Sequence, residues 1–168
     1  MININQLKNN TAVIIVDMQD FFLDNYTPKN KELLITNQIK IVELCVKNKL
    51  PFVILEYKCR GIFRGKLIQK LDKMIKNTCR ETIIKESNSG FTDTNLDLIL
   101  NNLKIKKILL LGINANGCVQ DTAIGAIRRG YKVITAHGII ASSSRKDLDL
   151  SAKNLRWYKK NTIFYEKI

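Results

Sequence analysis

Two hydrophobic rhythms alternate along the chain. TAVIIVD, residues 11 to 17, is a continuous, mostly β-branched run that ends on an aspartate. Such a run is too apolar for a strand wetted on one face and suits a buried parallel one. Over residues 30 to 49 the period changes, and Leu33, Leu34, Ile41, Leu44 and Cys45 fall near one helical stripe until Pro51 stops the helix. The alternation then recurs. Strands are predicted at PFVILEY (51 to 57), RETIIK (80 to 85), KKILLLG (106 to 112), YKVITAH (131 to 137) and TIFYEK (162 to 167). Helices are predicted over about 65 to 77, 93 to 103, Cys118 to Arg129 and Ser144 to Lys160. Six strands separated by helices call for crossover connections, hence an α/β fold: a three-layer α/β/α sandwich on a mainly parallel, Rossmann-like six-stranded sheet. Residues 1 to 168 read as one domain without internal repeat or linker, with residues 1 to 10 loosely held.

In open sheets of this kind ligands gather at the carboxyl ends of the strands. Three reactive side chains stand there. Asp17 closes the first strand, Lys85 closes the third, and Cys118 follows the loop GINANG that leaves the fourth. A helix start and a neighbouring ammonium both stabilise a thiolate, so Cys118 is expected to be activated. Asp17 is suited to move its proton. Gly112 and Gly117 allow the loop to bend and to aim backbone amides, those of Asn114 and Cys118, at a developing oxyanion.

Composition narrows the field. A hydrophobic share of 45% with 26% charged residues is that of a globular chain. The net charge of +13 comes from scattered lysines and arginines at helix surfaces and turns, which we read as a solvated surface and not a nucleic-acid face. Cys45, Cys59, Cys79 and Cys118 show no metal-ligand spacing, and His137 is the single histidine, so no metal or other cofactor is expected. MININQLKNN lacks the apolar run of a secretory signal, and no stretch reaches the 18 or so apolar residues of a membrane span, so the expected setting is the cytoplasm without a membrane partner.

Three segments, VDMQDFF (16 to 22), KESNSGF (85 to 91) and GINANGCV (112 to 119), resemble the signatures of the isochorismatase-like cysteine hydrolases, in the same order. The resemblance implies an Asp17, Lys85 and Cys118 triad acting through a covalent thioester on a small amide or ureido compound, in a homo-oligomer such as a dimer or tetramer. It also implies a pocket aromatic at Phe22, beside the matched Gln19, and a cis peptide at Ile113 to Asn114. Tyr57, Gly117 and His137 share the predicted rim, although His137 and Cys59 fit structural roles as well. Two departures shape the expectation. Nicotinamidases of the family carry a metal site after the second strand, where this chain reads EYKCRG without a histidine. Isochorismatases proper typically lack the nucleophilic cysteine. Lys58, Arg60 and Arg64 after the second strand hint at a carboxylate-bearing ligand. The competing reading is a non-catalytic binding protein that uses its basic surface.

Overall fold

The computed structural model describes Ile2, Leu7, residues 10–142 and residues 148–168. Most of the N-terminal stretch expected to be loose, and the expected helix start at Ser144, lie outside the described residues. Ile2 and Leu7 are themselves buried.

The strands are β1 (Thr11–Val16), β2 (Phe52–Cys59), β3 (Ile62–Phe63), β4 (Arg80–Lys85), β5 (Lys107–Ile113), β6 (Lys132–Ala136), β7 (Ile140–Ala141) and β8 (Ile163–Tyr165). The helices are α1 (Asp20–Leu23), α2 (Pro28–Lys47), α3 (Gln69–Ile75), α4 (Leu96–Asn102), α5 (Cys118–Arg128) and α6 (Ala152–Asn161). Six of the strands form a parallel sheet in the order β4-β2-β1-β5-β6-β8. The sheet has eight strands among the described residues, not six, because β3 pairs antiparallel with the end of β2 and β7 pairs with the end of β5. Both additions are only two residues long, too short to leave a periodic signal.

The hydrophobic pattern explains the arrangement. Every residue of β1 and all but Lys107 of β5 are buried, which requires cover on both faces of the sheet. α2 begins two residues earlier than its apolar stripe suggests. Thr27 caps it by accepting the Asn30 N–H at 3.3 Å, and Pro28 fills the first turn. α6 starts at Ala152 behind the Ser151 cap, with residues 148–150 non-helical. Tyr158 on α6 is fully buried and donates its hydroxyl to the Ala115 carbonyl at 2.6 Å, anchoring the last helix to the loop ahead of Cys118.

The topology matters most at β1 and β5. From β1 the chain steps outward to β2 and β4; from β5 it steps the other way, to β6 and β8. The order reverses between these two neighbours, and a crevice opens at their carboxyl ends.

Candidate active site

Asp17 directly follows β1, the segment 114–118 follows β5, and Lys85 ends β4. Lys85 stands in register with Tyr57 of β2, two strands away from β1. Its side chain crosses the Tyr57 ring, with Nζ 4.5 Å from the ring centroid, and reaches Asp17 at 3.1 Å from Oδ1 and 3.3 Å from Oδ2. It also donates to the Ser87 carbonyl at 3.2 Å. Both charged residues are at most 1% exposed. Two ions held out of water in this way need each other, since either one alone carries a desolvation penalty of several kcal/mol.

Asp17 adopts a left-handed backbone, φ +54°. Its N–H donates to the Leu55 carbonyl and its own carbonyl accepts from Gln19, which fixes the turn out of β1. Asp and Asn bear this conformation better than other non-glycine residues, yet it still costs of order 1 kcal/mol. Oδ1 lies beside the Lys85 ammonium without a well-angled hydrogen bond, so one lone pair stays open to another donor. Burial raises the Asp17 carboxyl above the usual carboxylate range, against the Lys85 charge and the nearby polar groups of Cys118 and Asn114. A more basic carboxylate is a better proton acceptor.

Cys118 is the first residue of α5 and 7% exposed. Burial, reinforced by the Asp17 charge, pushes its thiol up to about 12, with Lys85 opposing. Burial thus works against the thiolate that the helix start and the lysine favour. Sγ donates to Asn88 Oδ1 at 3.7 Å.

The loop between β5 and α5 is shaped by contact. Gly112, φ +147°, abuts β1 so closely that a Cβ there would sit 2.2 Å from the Val16 carbonyl oxygen. Ile113 to Asn114 is a trans peptide, not the cis bond expected, because the bend is taken up by Asn114 at φ +64°. The Asn114 carbonyl accepts from Gly117 N at 2.9 Å and Val119 N at 3.2 Å, and Ala115 N donates to Ala141. These bonds engage the amides on either side of Cys118 and leave its own N–H at the mouth of the helix, where no intrahelical acceptor exists.

Asp17, Phe22, Tyr57, Asn88, Asn114, Asn116, Gly117 and Cys118 line a pocket of about 290 Å³. Two residues expected there are elsewhere. Gln19 is fully buried behind the wall: Oε1 accepts the Tyr57 N–H at 2.7 Å, and Nε2 donates to the Tyr57 and Gly65 carbonyls, clamping the end of β2. His137 sits 3.2 Å from Asp149 on the surface, and its N–H donates to the Tyr165 carbonyl. Asn88 and Asn116 were not anticipated, although Asn88 lies inside the segment KESNSGF. Of the basic rim, Lys58 pairs with Glu86 at 3.1 Å and Arg64 stacks over Phe21 at 4.4 Å; neither lines the pocket, nor does Arg60.

A metal does not fit. The end of β2 carries Tyr57, Lys58 and Cys59, the lone histidine is paired with Asp149, and no group of three or more His, Cys, Asp or Glu side chains is gathered among the described residues. Nor is any helix among them long and apolar enough to cross a membrane.

Known proteins share this architecture. The family model described as Isochorismatase domain matches residues 11–163. The uncharacterized isochorismatase family protein YaaI of Bacillus subtilis is 25% identical, with 95% of this chain aligned to 93% of that one. N-carbamoylsarcosine amidase from Thermoplasma acidophilum superposes with a TM-score of 0.77 at 20% identity, covering 95% of this chain and 96% of the other. The nicotinamidase SaPncA from Staphylococcus aureus gives 0.77 at 20% identity, covering 95% and 99%. At such identities the two solved structures are evidence for the fold alone.

Proposed function

The chain belongs to the isochorismatase family, whose members include amide hydrolases, and from that premise we propose that it is a cysteine hydrolase of small amide or ureido C–N bonds. The observation that carries the reading is that Asp17 and Cys118 line one pocket with the buried Lys85 ammonium 3.1 Å from the Asp17 carboxylate, the three coming from separate strands or the loop beyond one.

In this reaction Asp17 takes the thiol proton as Sγ bonds to the substrate carbonyl carbon. Lys85, 3.1 Å away, keeps Asp17 anionic beforehand and balances the charge afterwards. The carbonyl oxygen gathers charge against the Cys118 and Asn114 backbone amides. Asp17 then gives the proton to the leaving nitrogen, the C–N bond breaks, and an amine or ammonia departs. Water attacks the thioester, Asp17 accepts its proton and returns it to sulfur, and a carboxylic or carbamic acid leaves with the thiol restored.

The pocket favours an uncharged, planar substrate. Its walls supply the Phe22 and Tyr57 rings and the carboxamides of Asn88, Asn114 and Asn116, and no cation lines it among the described residues. Those walls suit an uncharged substrate better than the carboxylate ligand suggested by Lys58, Arg60 and Arg64. The same reading makes the protein a cytoplasmic homo-oligomer acting without a metal or nucleic acid; its four free cysteines suit a reducing compartment.

The test is a panel of small primary amides and ureido compounds, with ammonia release and the mass of Cys118-containing peptides as readouts. Turnover with an acyl adduct on Cys118, both abolished in Cys118→Ala, is the expected result. Absence of release and adduct across the panel, together with salt-sensitive retention of nucleic acid that ignores Cys118→Ala, would move the assignment to a binding protein.

A further inference from the structure

The segment after Lys85 is fastened along α5. Asn88 Nδ2 donates to Asp121 Oδ2 at 3.1 Å, Gly90 N donates to Thr122 Oγ1 at 2.9 Å, and Gly125 leaves room for Phe91, whose ring a Cβ there would approach to 2.9 Å. Arg129 closes the line, 4.8 Å above the Phe91 ring. Within that seam Asn88 alone also touches the sulfur.

Its orientation is determined by chemistry. A carboxylate can only accept, so the atom of the Asn88 amide that meets Asp121 must be the nitrogen, and the oxygen must then face Cys118. Cys118 and Asp121 lie three residues apart on one face of α5, so a single carboxamide spans both. Asn88 further forms part of the wall between the pocket around Cys118 and a neighbouring cavity of about 670 Å³ along α5, which shares only Tyr57 and Asn88 with it.

We propose that Asn88 is a positioning residue for the Cys118 thiol: anchored through its nitrogen on Asp121, its oxygen accepts the S–H and holds the sulfur protonated until the hydrogen passes to Asp17. This rests on the reading of Cys118 as the nucleophile. The charged and titratable groups around the sulfur are Asp17 from the end of β1, Lys85 from β4, Tyr57 from β2 and Asp121 from α5 itself; Glu86, nearby, is paired with Lys58. Of these, only Asp121 reaches the thiol through Asn88. Replacing Asp17 removes the eventual proton acceptor; replacing Asn88 leaves that acceptor in place and frees the S–H.

The experiment reads the S–H stretching band of Cys118 by infrared difference against Cys118→Ala, together with site-resolved iodoacetamide labelling by peptide mass at about pH 8. Neither readout needs a substrate, so it can fail or succeed independently of the hydrolase assignment. Asn88→Ala is expected to shift the band to higher frequency, Asp121→Ala to shift it part of the way, and Asn88→Leu, of similar size, to label about two- to five-fold faster than wild type. Asn88→Asp, placing an anion beside the sulfur, labels more slowly than wild type. A band unmoved by Asn88→Ala but moved by Asp17→Asn would overturn the proposal, because the thiol would then donate to Asp17 at rest. A shift in Asp121→Ala without one in Asn88→Ala would overturn it as well.

Discussion

Replacing Lys85 by methionine leaves a carboxylate at 0% exposure facing an apolar side chain of similar length. At an effective dielectric constant near 20, unit charges 3.1 Å apart attract by about 5 kcal/mol, and breaking a buried pair costs roughly 3–5 kcal/mol in practice. For a urea slope of about 2 kcal/mol/M, the unfolding midpoint near neutral pH should fall by roughly 2 M. The pH dependence carries a sign. Burial already raises Asp17 above its unfolded value. A raised carboxylate contributes its stability fully below the unfolded pKa and loses it as pH climbs through the folded pKa. Lys85→Met removes the opposing charge and raises Asp17 further, so the deficit against wild type should be small at about pH 4.5 and widen towards about pH 7.5. Adding Asp17→Asn removes the stranded charge, and the double variant should recover much of the loss at neutral pH. Urea titrations followed by tryptophan fluorescence at both pH values give the answer. Equal deficits at the two pH values, or a double variant no more stable than Lys85→Met, would refute the claim that an uncompensated Asp17 charge is the cause.

Three further outcomes follow from the packing and the site. Gly112→Ala should cost more than about 2 kcal/mol in thermal or chemical unfolding, because its Cβ would meet the Val16 carbonyl at 2.2 Å and φ +147° is closed to alanine. Gln19→Leu should cost about 1–3 kcal/mol by leaving the half-buried Tyr57 N–H without its acceptor, and should lower kcat/KM on any substrate found by loosening the Tyr57 wall. In the free protein Cys118 should label slowly at neutral pH and faster as pH rises towards about 12, more slowly than exposed Cys79; rapid labelling near neutrality would show that the lysine and helix start outweigh burial.

The long parallel strands were legible because burial on both faces writes an unbroken apolar run, as in TAVIIV. The two-residue strands β3 and β7 were not, since a strand that short is defined by its partner and not by its own residues. The approach of Asp17, Lys85 and Cys118 was legible from position alone, the first two standing at the carboxyl ends of strands and the third just beyond the loop that leaves another. What position could not supply was direction. Gln19 lies two residues beyond Asp17 and His137 at another strand end, yet one side chain turns inward to clamp β2 and the other outward to Asp149. The burial of the sulfur was hidden for a related reason: proximity to a lysine can be read from motifs, whereas the depth of burial depends on the whole fold. Asn88 was passed over because an exposed asparagine in a loop has no local signal until its two partners on α5 are known.

β4, which carries Lys85, pairs only with β2 among the described strands, so the essential cation of the proposed site hangs from the outermost rung of the sheet. Its outer end is guarded by Arg80 and Glu81, charges that discourage another chain from adding to the edge. Peripheral strands open more readily than central ones. Fraying of β4 would withdraw the ammonium from Asp17 while β1 and β5 remained intact. Heat should therefore silence such an enzyme before it melts, and amide exchange along residues 80–85 would be the early gauge of that loss.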